Sequence, residues 1–233
     1  MERPRDVPES DTDSCIYCGG SERITRDHIP PKCLFPKPRA TDLITVPACQ
    51  NCNAGFADDD EYFRFAMVTA SFEHPAGRKL WQDSVVPRTF KRHPALIRGM
   101  VKTVRTVELK SASGLYLGKA PVIPFGRRRI NRVIRRIRRG LNWHHFENLA
   151  PSDKEILVVS NPKPLSLAVQ SVLKDATRLG KVGDGSIFAY RYAYVPSQPE
   201  ASSWILQFYS RLNFIGLSIP DDLQDEVGVT APG

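Results

Sequence analysis

A chain of 233 residues that is 41% hydrophobic and 25% charged can bury a core of its own, which excludes a wholly disordered chain and a small disulfide-framework peptide. Its 33 Lys and Arg against 25 Asp and Glu leave a formal charge of +8, a bias that favours a polyanionic partner such as nucleic acid or an acidic membrane surface. No run of about 18 apolar residues occurs, and the polar opening MERPRDVPESDTDS lacks the charged head and apolar run of a secretory signal, so a cytoplasmic location without a membrane partner is expected.

In chain order, residues 1–12 are rich in Pro, Ser, Asp and Glu and are expected to form a disordered tail. Residues 13–75 carry all five cysteines. Strand-like pieces lie around RIT and LITV, and DDDEYFRFAMVTASF gives a helix with a mostly apolar side through Tyr62, Phe63, Phe65, Ala66 and Met67. Asp58, Asp59, Asp60 and Glu61 stand where that helix begins, where acids complement its free N–H groups and dipole, so capping is preferred over metal ligation. Residues 76–150 read as a basic helical region with two amphipathic helices, PALIRGMVKTVRTVEL and GRRRINRVIRRIRRGL, joined by loop or short strand in KSASGLYLGKAPVIPFG. Residues 151–233 read as a small α+β unit: strands in EILVVS and SIFAYRYAYVP, a helix in LSLAVQSVLKDATRLG ending at Gly180, and one long or two paired strands in SWILQFYSRLNFIGLSIP. The fold class is therefore α+β with a small antiparallel sheet.

Five cysteines, four of them in CxxC pairs, point to a metal before disulfides. Cys15-x2-Cys18 and Cys49-x2-Cys52 offer four thiolates, because each CxxC turn brings two sulfurs to one tetrahedral Zn2+. Four cysteine ligands leave no open coordination position, so this zinc is structural and any chemistry needs a second ion. Cys33, outside the pairs, is most simply a small packing residue.

Between the knuckles lies ITRDHIPPKCLF. If the zinc folds the segment back, Asn53, next after the last ligand, returns near Asp27 and His28. A carboxylate and an amide oxygen are hard donors suited to Mg2+ or Mn2+. His28, facing the opposite side of an extended chain, is free to act as a base near neutral pH.

The combined pattern, C-x2-C, then DHIPP, then DLITVPACQNCN, resembles the HNH endonuclease family over about residues 15–65. The resemblance implies a ββα-metal module, metal-dependent hydrolysis of nucleic-acid phosphodiesters, with DNA the first expectation, Asp27 and Asn53 holding Mg2+ or Mn2+, His28 as general base, and 5′-phosphate products. Two positions depart from the family. Asp42 stands where an Asn is usual, which could orient His28 and would raise its pKa through a charge pair. A Lys that often follows the last ligand is missing from NAGFADDDEYF.

The run RRRINRVIRRIRRG holds Arg127, Arg128, Arg129, Arg132, Arg135, Arg136, Arg138 and Arg139 and no acid. Ile130, Val133 or Ile134, Ile137 and Leu141 form an apolar stripe on a helix, leaving the arginines to the other faces, where they are either paired to acids elsewhere or free for phosphates. Nucleic-acid contact is expected of them. Trp143, His144 and His145 are assigned to packing with a solvent-facing ring, and the aromatics alternating through Phe188, Tyr190, Tyr192 and Tyr194 to filling one sheet face. The leading expectation is an HNH-type endonuclease; the rival is a non-catalytic zinc-containing nucleic-acid-binding protein. A homodimer or a partner protein through residues 151–233 remains open to either.

Overall fold

The structure is a computed structural model and describes residues 14–92, 94–111, 113–146, 156–160, 174–195 and 198–218. The tail of residues 1–12 and most of the helix expected before Gly180 lie outside the described residues.

Strands β1 (Ile24–Ile29) and β2 (Ile44–Cys49) pair antiparallel, with Asp27 opposite Val46 and His28 opposite Thr45. The two-residue alternation turns Asp27 and Ile29 inward and Arg26 to solvent. Pro30 and Pro31 end β1, and a single 3-10 turn over Lys32–Leu34 leads toward β2. Helix α1 (Gln50–Gly55) opens directly from β2, its first turn capped by Cys49, whose Sγ accepts the Cys52 N–H at 3.4 Å. Helix α2 (Ala57–Ala70) follows, completing a strand–strand–helix order compatible with a ββα arrangement.

Helix α3 (Pro75–Leu80) is capped by His74, whose Nδ1 accepts the Ala76 N–H, and it continues as a π-helical stretch over Trp81–Thr89 and as α4 (Phe90–Arg92). Helix α5 (Pro94–Val101) is shorter than the periodicity suggested. The second half of the expected helix, TVRTVEL, is instead strand β3 (Arg105–Lys110), paired with β4 (Tyr116–Val122). Its β-branched Val104, Thr106 and Val107 favour a pleated backbone once a partner strand is in reach.

Helix α6 (Arg127–Phe146) spans 20 residues. Strands β5 (Ile156–Ser160), β6 (Arg178–Val182), β7 (Phe188–Val195), β8 (Gln198–Phe208) and β9 (Leu212–Ser218) form an antiparallel sheet in the order β5-β9-β8-β7-β6. Gly180 therefore lies in a strand rather than ending a helix. It pairs with Tyr190, and a Cβ there would collide with the Tyr190 ring, so the missing side chain makes room for the phenol on the inner sheet face.

The apolar stripe of α6 is the centre of the core. Ile130, Val133, Ile134, Ile137 and Leu141 are all buried, and the helix packs against α2, against β1 and β2, and against β5, β8 and β9. One buried cluster runs from Ile29 and Val46 through Phe63 and Ile134 to Trp204 and Phe208, so α6 joins the N-terminal hairpin to the C-terminal sheet. Each such side chain contributes about 1.5–3 kcal/mol of burial free energy. A Cβ at Gly140 would run into Ile29, which marks how closely α6 crosses β1. One turn earlier on the same helix stands Arg136.

Candidate functional site

The ligand atoms of Cys15, Cys18, Cys49 and Cys52 all lie within 4.8 Å of one another. Four sulfurs at 2.3 Å from a tetrahedral ion stand about 3.8 Å apart, and Cys18 Sγ lies 3.7 Å from Cys49 Sγ. The group is thus close enough to hold a metal ion such as zinc. Burial alone would raise the Cys15 thiol, but backbone hydrogen bonds with Cys49, Cys18 and Tyr17 outweigh it and bring the pKa down to about 7, favouring the thiolate a metal requires. Cys33 lies outside this cluster. Its thiol reaches the Asp60 carbonyl at 3.7 Å, and burial pushes its pKa up to about 12, in keeping with a packing role.

The fold-back brings Asn53 onto β1. Its Nδ2 donates to Thr25 Oγ1 at 2.9 Å and to the Arg26 carbonyl at 3.3 Å, and Thr25 faces the same side of the strand as Asp27. With Nδ2 committed to the strand, Oδ1 is the atom Asn53 can offer a cation. Asp27 is 4% exposed. Its Oδ2 accepts the Tyr17 hydroxyl at 2.7 Å and lies 3.4 Å from Arg136 Nε. Nothing local in the sequence signals either partner; Tyr17 sits inside the first CxxC, and Arg136 is 109 positions downstream.

Arg136 bridges two acids. Its Nη2 donates to Asp60 Oδ1 at 2.5 Å while Nε faces Asp27, and its guanidinium lies 4.3 Å from the Phe56 ring centroid. Burial raises the Asp60 pKa to about 6 even though Arg136 pulls it down, and Asp27 and Asp59 add to the rise. A buried cation between one buried and one half-buried carboxylate is a unit in which removing one member strands the others. Arg136→Gln is accordingly expected to destabilise the fold by about 3–5 kcal/mol in a urea melt, whereas Arg132→Gln, whose side chain is 60% exposed, is expected to leave the midpoint nearly unchanged.

His28 is half-buried beside the 3-10 turn. Burial lowers its pKa, the charge of Lys32 lowers it further, Asp27 opposes, and Arg39 adds to the lowering. Arg39 is fixed to that turn by its Nε donating to the Lys32 carbonyl at 3.0 Å. This reverses the expected upward shift. Asp42 does not act on the imidazole: both its carboxylate oxygens accept the Gly183 N–H at 2.9 Å, so it ties the approach to β2 to the β6–β7 turn. Its surroundings thus favour the neutral imidazole, through burial and the charges of two cations, Lys32 and Arg39, that the sequence did not single out. Their position just past a DH-Pro-Pro corner was the available signal.

The arginine run is largely turned inward. Arg129 and Arg132 share Asp59 at 2.8 Å each, Arg129 also lies 4.2 Å from the Tyr62 ring centroid, and Arg138 is fully buried with Nη2 on Ser202 Oγ at 2.8 Å. Arg135 and Arg139 are half-buried, with Arg139 5.8 Å from the Tyr17 ring centroid. Only Arg127, Arg128 and Arg132 of the eight are exposed. Of the acids at the start of α2, expected as caps, Asp59 and Asp60 therefore serve as counter-ions for α6, while Glu61 pairs with Arg64 of its own helix. Two apolar elements can dock here because each brings the opposite charge at the edge of the contact.

At the far end of α6, His145 is half-buried. Its ring nitrogens meet the hydroxyls of Tyr190 at 2.8 Å and Tyr192 at 3.2 Å, and burial lowers its pKa to about 4. Tyr192 stacks on Trp204 at 4.7 Å, so these aromatics fill the inner sheet face and not a base-stacking platform. No protein-family model, no curated protein and no solved structure matches the chain. Among the described residues no helix is long and apolar enough to cross a membrane.

Proposed function

We propose that the chain is an HNH-type endonuclease whose N-terminal hairpin and first helix, stapled by zinc, hydrolyse phosphodiester bonds of nucleic acid, DNA in the first instance. The observation that carries this reading is the fold-back itself: Asn53 hydrogen-bonded to β1 next to Asp27, with an imidazole at the adjacent position 28. A carboxylate and an amide oxygen fit a cation that takes few protein ligands and keeps its waters, so Asp27 Oδ1 and Asn53 Oδ1 are the donors for Mg2+ or Mn2+. When bound, that ion supplies charge stabilisation for the phosphoryl oxygens and the leaving 3′ oxygen. His28 accepts a proton from the attacking water, which requires the neutral form that its surroundings favour. Lys32 and Arg39 hold the phosphate beside it and take the place of the absent downstream lysine. Tyr17 and Arg136 fix the Asp27 carboxylate from behind through Oδ2.

A second reading is favoured by one of those same contacts. With Oδ2 already facing a guanidinium, Asp27 has less need of another cation, as in a zinc-containing protein that binds nucleic acid without cutting it. Supercoiled plasmid separates the two. Purified chain is expected to give nicked and linear DNA with 5′-phosphate ends in Mg2+ or Mn2+, and none when those ions are withdrawn with zinc content kept constant. Uncut plasmid in every ion tested, with binding intact, selects the non-catalytic reading.

A further inference from the structure

With five of the eight arginines of α6 buried or half-buried, a polyanion would meet much of its charge elsewhere. Strands β3 and β4 pair with each other and with no other strand among the described residues. Every residue of β3 is exposed, and of the twelve large apolar side chains standing exposed among the described residues, eight fall between positions 101 and 122. A two-stranded ribbon by itself is marginally stable in water, and apolar side chains exposed at this density mark a binding surface.

The register separates two faces. Val107 and Leu109 sit across from Ala120 and Gly118 on one face, with Arg105 opposite Val122 at its base. Glu108 opposite Lys119 occupies the other, with Lys110 next to the tip. Glu108 is matched by Lys110 at 3.8 Å, which leaves Lys102, Arg105 and Lys119 as surplus positive charge, all exposed. The tip turns on Gly114 at φ +87°, with the Gly114 N–H on the Ser111 carbonyl at 2.9 Å, and carries Leu115 and Leu117 at 67% and 61% exposure.

We propose that this ribbon is a DNA-binding arm that seats in the major groove of a B-form duplex, a reading that rests on nucleic acid being the substrate of the hairpin described above. A two-stranded antiparallel ribbon fits a groove about 12 Å wide, apolar tip side chains can contact thymine methyl groups there, and flanking cations meet the phosphates on either side. The deep, narrow major groove of an A-form RNA duplex does not admit it. A polyanion is favoured over a second copy of the chain as the occupant, since the ribbon carries surplus positive charge on both faces, Arg105 on one and Lys119 on the other.

The test is fluorescence anisotropy of the full chain with a labelled DNA duplex, without divalent ions, over a series of salt concentrations. Arg105→Gln/Lys119→Gln is expected to weaken binding about tenfold and to reduce the slope of log affinity against log salt by about two, with zinc content and melting unchanged. Leu115→Ser/Leu117→Ser is expected to weaken binding with the slope kept. Affinity within twofold of the parent in both variants overturns the proposal, as does equal affinity for an RNA duplex. A dimer in sedimentation that the leucine variant converts to monomer, with affinity per chain unchanged, overturns it in favour of a self-association surface. The two readings fail separately: ribbon variants that bind weakly while His28→Ala still cuts would remove the catalytic assignment and leave the arm, and unchanged binding by ribbon variants of a chain that cuts DNA would remove only the arm.

Discussion

Cleavage by His28→Ala is expected to fall by about 10²–10⁴-fold, the range lost with a positioned general base, while zinc content, melting and duplex binding stay as in the parent. The imidazole is half-buried on the strand face opposite Asp27, so truncating it opens no core cavity and breaks no described ion pair. The pH dependence carries a sign that follows from its neighbours. Burial and the charge of Lys32 hold the His28 pKa below its ordinary value, so the neutral base persists through neutral pH. Cleavage is expected to hold level from neutral down through about pH 6.5, the ordinary histidine value, and to decline only on the acid side of it. Lys32→Glu removes one of the depressing charges and adds the opposite one, and should move that acid limb to higher pH. Undiminished cutting by pure His28→Ala, or an acid limb lying above pH 6.5 in the parent, excludes the histidine as base.

Cys49→Ser is the substitution with the largest expected effect on folding. Cys49 is a member of the sulfur cluster, the cap of α1, and the partner of Ile24 at the end of the hairpin. Structural zinc supplies about 10–16 kcal/mol of apparent binding free energy in small modules, against about 5–15 kcal/mol for the net stability of a whole domain. Losing one thiolate ligand therefore removes an amount comparable to everything that holds the chain folded. Because α6 packs on β1 and β2, the effect should reach the C-terminal sheet as well. The expected result is a zinc-deficient chain, cut rapidly by protease within residues 14–70. Cys33→Ser, at a thiol outside the cluster, serves as the comparison and is expected to keep its full zinc content. A Cys49→Ser chain that retains zinc and its melting transition would remove that sulfur from the ligand set.

The elements that were legible in the sequence are those set by short-range spacing. The two CxxC turns, the strand-like pieces of β1 and β2, the 3- to 4-residue apolar stripe of α6 and the alternating aromatics of β7 each follow from bond geometry acting over fewer than ten residues. The errors lie where a local pattern suited two outcomes. TVRTVEL carries enough apolar residues for a helix face, yet it becomes β3 because β4 lies within hairpin reach. Gly180 looks like a helix end, yet it is a strand position kept bare by the ring of Tyr190.

For the candidate site the division is sharper. The sequence by itself determined which atoms could do chemistry: four thiolates at knuckle spacing, a carboxylate and an imidazole side by side, and an amide following the last cysteine. Tertiary structure alone decided what surrounds them. Asp27 faces Arg136 of α6, Asp42 is drawn away to Gly183, and three of the arginines that composition offered to a polyanion, Arg129, Arg132 and Arg136, are taken up by Asp59 and Asp60. The reason is physical. Side-chain identity and spacing fix what a group can donate or accept, but a charge settles on whichever opposite charge the docking of distant helices and strands brings within a few ångströms, and that choice is made across 70 to 140 residues of chain.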